Sequence, residues 1–296
     1  MEFVYIGILL IFAVVIVASY VYNKNNSDGE EVFGFEYLRK TERDQLFGTK
    51  ILCIGNSYGD DSVKYIPQIM FSYGKKNVVV ANLYIGGCSL ENHAKNAKED
   101  AKAYEYRKFV DGEWSNKEKT SLKEGVLDEE WDVIVFQQQS KNTGIWQTYQ
   151  PFLSELITYV RNLTDARFAF NMTWAYPTGS KSENFAYYDN NNAKMYKSIT
   201  SVVGTKIESD FNFDFIIPTG SAVQNASDKI YLFRDDIHLN EKGRFLASLT
   251  WVKELYDVNL DELTYCPNEV SNEEADVFIS AVNNAYYHPY VKTKIK

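Results

Sequence analysis

The chain predicts an α/β fold, a central parallel sheet covered on both faces by helices in a three-layer α/β/α arrangement. Two observations carry this expectation. Short, nearly continuous apolar runs recur, such as Ile51-Leu52-Cys53-Ile54, Val78-Val79-Val80 and Val133-Ile134-Val135-Phe136. Segments with apolar residues at helical spacing stand between them. A strand without polar alternation is buried on both faces, the condition of parallel strands between helical layers.

The elements follow in order. Lys50–Ile54 reads as strand one. A helix over Asp61–Ser72 places Val63, Ile66, Ile69 and Met70 on one face and ends at Gly74. Strand two is Asn77–Leu83, followed by a polar helix over Ser89–Tyr104. Tyr106–Lys119 reads as a hairpin, because Asp111-Gly112 is a turn pair that tolerates positive φ. Leu127–Glu130 leads into strand three at Val133–Phe136. A helix over Tyr149–Leu163, strand four at Arg167–Thr173, a helix over Ala193–Ile207 and strand five at Phe213–Pro218 continue the alternation. Asn240 is placed to cap a last core helix with Phe245, Leu249, Val252 and Tyr256 on one face. Asn259–Lys296 reads as a C-terminal helix and tail packed on the same domain.

The ends divide the chain further. Phe3–Tyr22 carries no charge and has the length of a membrane-spanning helix. Residues 1–22 are therefore expected to be a transmembrane anchor or a signal segment, with Val17-Ala18-Ser19 as a candidate cleavage site. Residues 23–48 form a polar linker leading into the domain, residues 49–258 the domain itself, and 259–296 the tail. This implies a membrane-anchored or secreted protein with its folded domain outside the cytoplasm.

A net charge of −9 with no Lys/Arg run excludes nucleic acid as a partner. Cys53, Cys88 and Cys266 lack metal-ligand spacing and make no disulfide framework, so no metal and no cofactor is expected. Nor does the Asp60-Asp61 pair read as a metal site; Asp61 is expected to cap the first helix. The 22 Tyr, 18 Phe and 5 Trp are an aromatic load that suits both a core and a carbohydrate cleft.

Chemistry concentrates in two short segments. Strand one runs into Gly55-Asn56-Ser57, which holds a serine hydroxyl at the carboxyl end of a buried strand, where open α/β sheets bind ligands. Far along the chain stands Arg234-Asp235-Asp236-Ile237-His238. An Asp three residues before a His lets the carboxylate fix one imidazole nitrogen while the other faces a cleft. Ser57, His238 and Asp235 are thus the three parts of an activated serine nucleophile.

With the blocks between them, the chain resembles the SGNH (GDSL-type) hydrolase superfamily. The serine block is Gly55-Asn56-Ser57, with Asn56 where many members have Asp. The glycine block is Tyr84-Ile85-Gly86-Gly87-Cys88-Ser89-Leu90. The third block is Trp131-Asp132-Val133-Ile134-Val135-Phe136-Gln137-Gln138-Gln139-Ser140, where most members have Asn. Its Gln is similar to that of sialate and xylan O-acetylesterases, and the set is most like a bacterial branch of unknown function. The likeness covers roughly Lys50 to Trp251.

The resemblance implies a flavodoxin-like SGNH fold and assigns roles. Ser57 is the nucleophile, His238 the base and Asp235 the orienting carboxylate, with Asp236 as its rival. The oxyanion hole is expected from the N–H groups of Ser57 and Gly87 and the side chain of Gln137, with Gly86 and Gln138 as alternatives. Tyr58, Trp174 and Tyr176, with Trp146, either line an acyl or sugar pocket or belong to the core. His93 reads as a supporting hydrogen-bond or cap residue, and His288 as a surface residue.

The implied activity is that of a serine ester hydrolase removing O-acetyl groups from carbohydrate, its partner an acylated small molecule or glycan. The alternatives are a lipid or aryl esterase, a thioesterase, an acetyltransferase using the same serine, and an inactive cell-surface glycan-binding protein.

Overall fold

The computed structural model describes residues 48–295. The expected N-terminal membrane or signal segment lies outside the described residues, as does the linker up to residue 47. Among the described residues, no helix is long and apolar enough to cross a membrane.

The sheet has seven strands: β1 (Lys50–Gly55), β2 (Val79–Tyr84), β3 (Tyr104–Val110), β4 (Glu113–Thr120), β5 (Val133–Phe136), β6 (Arg167–Asn171) and β7 (Phe215–Ile217). Their order is β4-β3-β2-β1-β5-β6-β7. The block β2-β1-β5-β6-β7 is parallel throughout, the flavodoxin-like order with the hairpin strands set aside. The β3–β4 hairpin extends it antiparallel from β2. Asp111 and Gly112 both have positive φ at its turn, as the dipeptide predicts. Apart from Thr120, the residues of β4 are exposed, so this is an open sheet edge.

Two groups of helices flank the sheet. One contains α1 (Ser57–Val63), α2 (Ile66–Ser72), α7 (Thr219–Ala226), α8 (Glu241–Tyr256) and α9 (Asn272–Tyr287), with α8 packed against the other four. The second contains α3 (Leu90–Lys98), α4 (Leu122–Val126) and α5 (Phe152–Arg161), where α3 touches both others. α6 (Asn192–Val202) precedes a π turn and the last parallel strand.

Caps explain several boundaries. The Asn240 side chain accepts from Gly243 N–H and starts α8, and Ser271 with Glu274 closes a capping box on α9. Asn225 and Ser221 of α7 hydrogen-bond the backbone of Ala281 and Pro289, which ties the C-terminal segment to the domain.

Three expectations need correction. The first helix starts at Ser57, not Asp61, because Asn56 caps it, and it breaks before Ile66, where Pro67 suits a new first turn. The helix after the glycine block stops at Lys98, since Tyr104 already belongs to β3. α7 was not expected; its Gly, Ser, Thr and Asn content hides a segment that is buried throughout.

Candidate active site

Ser57 is the first residue of α1, immediately past the carboxyl end of the central strand β1. Asn56 fixes that turn from three sides. Its Oδ1 accepts from Tyr58 N–H at 3.0 Å and from Gln137 Nε2 at 2.9 Å, while its Nδ2 donates to the Cys88 carbonyl at 3.0 Å. One buried side chain thereby joins the serine turn, the glycine block and the end of β5.

His238 reaches Ser57 from the loop before α8. Its Nε2 lies 2.9 Å from Ser57 Oγ, and its Nδ1 lies 2.9 Å from Asp235 Oδ2. With Asp235 ionised, Nδ1 carries the proton and Nε2 is left to accept from the serine hydroxyl. Asp235 Oδ1 accepts from the N–H groups of Ile237 at 2.9 Å and His238 at 2.7 Å. Partial burial pushes this carboxyl up, but those two amides and the imidazole outweigh it, so its pKa lies below the usual value. Asp236 turns elsewhere: its Oδ1 accepts from Lys181 N–H, and its carbonyl accepts from Ser180 Oγ. The geometry gives the imidazole to Asp235.

A residue given a different role on sequence grounds holds this loop. Asp61 caps nothing; it is buried inside α1, four residues after Ser57. Its Oδ1 accepts from Arg234 and from Arg244, both at 2.8 Å, and its Oδ2 accepts from Leu239 N–H at 3.0 Å. Arg234 and Leu239 are the two ends of the loop that carries Asp235 and His238. The serine helix thus clamps the histidine loop at both ends. The signal available in sequence was an acidic residue on the apolar side of a helix, with Arg234 and Arg244 flanking the Asp-x-x-His segment.

The oxyanion-hole expectation for Gln137 does not fit. Gln137 is buried, its Nε2 is engaged by Asn56, and its Oε1 accepts from Asn171 Nδ2 at 3.1 Å. Asn171 Oδ1 in turn accepts from the Thr219 hydroxyl at 2.6 Å. Gln137 belongs to a buried relay across the strand ends. Gln138 is also consumed: its Oε1 accepts from Leu90 N–H, and its Nε2 donates to the Thr148 carbonyl.

Gln139 is the half-buried member of the run. Its Nε2 lies 3.6 Å from where a side chain on Gly87 would begin. Gly87 is exposed and has φ +61°, a conformation that glycine adopts without strain. Gly86 is exposed as well. Ser57, Gly87, Gln139 and His238 therefore stand on the carboxyl-end rim of the sheet.

The aromatic residues expected at the pocket belong to the core. Tyr58, Trp174 and Tyr176 are each at most 1% exposed. Trp174 stacks on Tyr58 with ring centroids 4.0 Å apart, and its indole N–H donates to the Ile237 carbonyl. Tyr58 meets the His238 ring edge-on at 6.1 Å, so the pair backs the histidine. Tyr176 shares a hydrogen bond with Ser140. Trp146 is half-buried and stacks on Tyr149.

His93 is buried on α3 with Nδ1 3.0 Å from the Tyr104 hydroxyl, and burial pushes its pKa down to about 3. It is neutral and apart from the Ser57–His238 pair. His288 follows α9 and is exposed. Cys53 and Cys88 are buried free thiols, and Cys266 is an exposed one. Among the described residues, no group of three or more His, Cys, Asp or Glu could hold a metal ion.

No curated protein matches the chain. Among solved structures it is similar to a DUF4886 family protein from Bacteroides uniformis, at 35% identity and TM-score 0.80, over 83% of this chain and 97% of that one. It is also similar, at 17% identity and TM-score 0.47, to a protein of Slackia heliotrinireducens assigned to the SGNH hydrolases; 70% of this chain and 98% of that one are covered. The acetylxylan esterase Axe2 from Geobacillus stearothermophilus is similar at 13% identity and TM-score 0.47, over 70% of this chain and 94% of that one. A family model described as a domain of unknown function, DUF4886, matches residues 50–286, and the chain belongs to that family.

Proposed function

We propose that this protein is a serine hydrolase of carboxylic esters, and that its substrates are O-acetyl groups on carbohydrate. The observation that supports the chemistry is the continuous contact Ser57 Oγ–His238 Nε2 and His238 Nδ1–Asp235, both at 2.9 Å. A serine hydroxyl is a weak nucleophile until a base can take its proton during attack. Here the base is oriented by a carboxylate that two backbone amides hold in place.

In this reading Ser57 Oγ attacks the ester carbonyl carbon as its proton passes to His238 Nε2. The imidazolium, stabilised by Asp235, returns that proton to the departing sugar hydroxyl and leaves an acyl-serine. Water then attacks the acyl carbon, His238 takes its proton, and acetate leaves as the serine hydroxyl is restored. Oxyanion donors are the N–H groups of Ser57 and Gly87 and the Gln139 side-chain amide, which replaces Gln137. Backbone at Gly87 can approach the substrate without a side chain in between.

The acetyl-carbohydrate assignment rests on the likeness of the Gln block to the Gln-bearing acetylesterases. The uncharged N-terminal stretch supports work outside the cytoplasm, membrane-anchored or secreted. Turnover of aryl esters of increasing chain length, measured beside acetylated xylan and acetylated sialic acid, tests the reading. Acetate release from a glycan, steep loss of rate beyond short acyl chains and inactivity of Ser57→Ala are expected. A preference for long acyl chains would move the assignment to a lipid esterase, and a fully active Ser57→Ala would overturn the mechanism.

A further inference from the structure

Beside the serine helix, where the β3–β4 hairpin runs out from the sheet, a cavity of about 350 Å3 is lined by Asp60, Lys64, Arg107, Trp114, Asn116 and Arg244, among others. That volume lies at the lower end of small-molecule sites, roughly 300–1,000 Å3. The proposed esterase chemistry does not use it.

Its floor is one face of the sheet. Arg107 pairs across β3 and β2 with Asn82, and across β3 and β4 with Asn116. Directly opposed residues share a face, so Asn82, Arg107 and Asn116 form a polar row. Trp114, two residues before Asn116, stands on the same face. Trp114 is 38% exposed and meets Phe109 edge-to-face at 5.6 Å, which supports the ring while leaving part of it open.

The wall is α1. Ser57, Asp60 and Lys64 recur at helical spacing, so the cavity begins one turn along the face that carries the nucleophile, with about 5–6 Å between such neighbours. Arg107 also lies over the Tyr84 ring at 3.7 Å. The Tyr84 hydroxyl sits 3.3 Å from where a side chain on Gly86 would begin. Tyr84 therefore stands between the glycine rim and the cavity and meets both.

Charge narrows the occupant. Arg107 pairs with Asp60 and Glu105, and Arg244 pairs with Asp61 and Glu241. Arg234 shares Asp61, so with Lys64 this makes four cations against four carboxylates, which leaves no positive excess for an anionic ligand. An apolar ligand would strand the polar row. A partly open indole beside ion-paired, pre-oriented amide, guanidinium and carboxylate groups suits a ligand with one apolar face and a rim of hydroxyls.

We infer that this cavity is a subsite for an uncharged sugar ring of the glycan whose acetylated neighbour is presented to Ser57. The inference rests on the esterase reading for its orientation but is testable without turnover. The probe is an acetylated xylo-oligosaccharide, with acetylated sialyllactose as the anionic comparison. Binding is measured by calorimetry in the Ser57→Ala background, with and without Trp114→Ala and, separately, Asn116→Ala. Both second changes are on an exposed edge strand and spare the core.

Trp114→Ala should weaken xylo-oligosaccharide binding about tenfold. In the active protein it should raise KM for that substrate by a similar factor and leave kcat and KM for aryl acetate unchanged. Equal affinity with and without Trp114, no binding of the neutral probe, or tighter binding of the sialylated one would overturn the subsite. Absence of aryl acetate turnover in the active protein would instead count against the esterase reading, and the binding comparison would still decide the cavity.

Discussion

Asp61→Asn exchanges one carboxylate oxygen for an NH2 group at a side chain with no exposed surface. The carboxylate meets only donors: Arg234 and Arg244 at one oxygen and Leu239 N–H at the other. Whichever way the new amide turns, its NH2 opposes a donor. An orphaned buried N–H costs about 1–3 kcal/mol. Loss of the charge adds less than the 3–5 kcal/mol of a buried pair, because the side chains of Arg234 and Arg244 are 37% and 23% exposed and keep some water. The expected loss is about 2–4 kcal/mol, a large part of the roughly 5–15 kcal/mol that holds a domain. Urea unfolding of both proteins at pH 7 gives this difference from midpoints at a common slope. Turnover of an aryl acetate, measured where both are folded, should fall by about 10- to 100-fold, since a misplacement near 1 Å can cost 10²-fold. A stability change below about 1 kcal/mol, or lost stability with undiminished kcat, would refute the clamp.

Three further outcomes follow from the site. Asp235→Asn should lower kcat by about 10³-fold or more, whereas Asp236→Asn should change it by less than about tenfold; steady-state kinetics on one ester ranks them, and the opposite ranking would transfer the orienting role. Gln139→Ala should reduce kcat by about 10²-fold with little change in unfolding midpoint, while Gln137→Ala should chiefly destabilise the fold, so loss of kcat without loss of stability in Gln137→Ala would restore the rejected assignment. His93 has a folded pKa near 3 against an unfolded value near 6.5. The unfolded chain binds the extra proton between those values, so the contribution is complete above about pH 6.5 and is lost as pH falls towards 3, at about 1.4 kcal/mol per pH unit. His93→Gln should flatten that slope, and identical pH dependence of urea midpoints in the two proteins would remove His93 as its source.

The parallel strands were legible because they are apolar on both faces, a pattern that burial between helices satisfies, whereas their order in the sheet was not. The hairpin was legible from Asp111-Gly112 alone. Asp235 and His238 could be paired because they stand three residues apart, while Ser57, 181 positions from His238, was placed beside them only by the likeness of the ordered blocks. What could not be read was direction. Three consecutive glutamines look alike in sequence, yet two are absorbed by partners from the serine turn, β6, α3 and a loop, and the third is left at the rim. Tyr58 and Trp174 were equally ambiguous, since a ring serves a pocket and a core with the same composition. Asp61 was misread because its partners lie 173 and 183 positions away, beyond any local spacing rule.

The relay Thr219–Asn171–Gln137–Asn56 has a handedness that constrains inheritance. Each member donates towards the next, and the last donation, from Asn56 Nδ2, ends on the Cys88 carbonyl. An Asp at position 56, as many SGNH hydrolases carry, could accept from Gln137 but could not donate onward, and it would bury a charge beside a carbonyl. Asn at the serine turn and Gln at the end of the third parallel strand are therefore complementary halves of one device. Drift at one should be tolerated only alongside drift at the other. Among DUF4886 sequences the two positions should change together, and free assortment of Asp at the first with Gln at the second would show that the strand ends can be held without the relay.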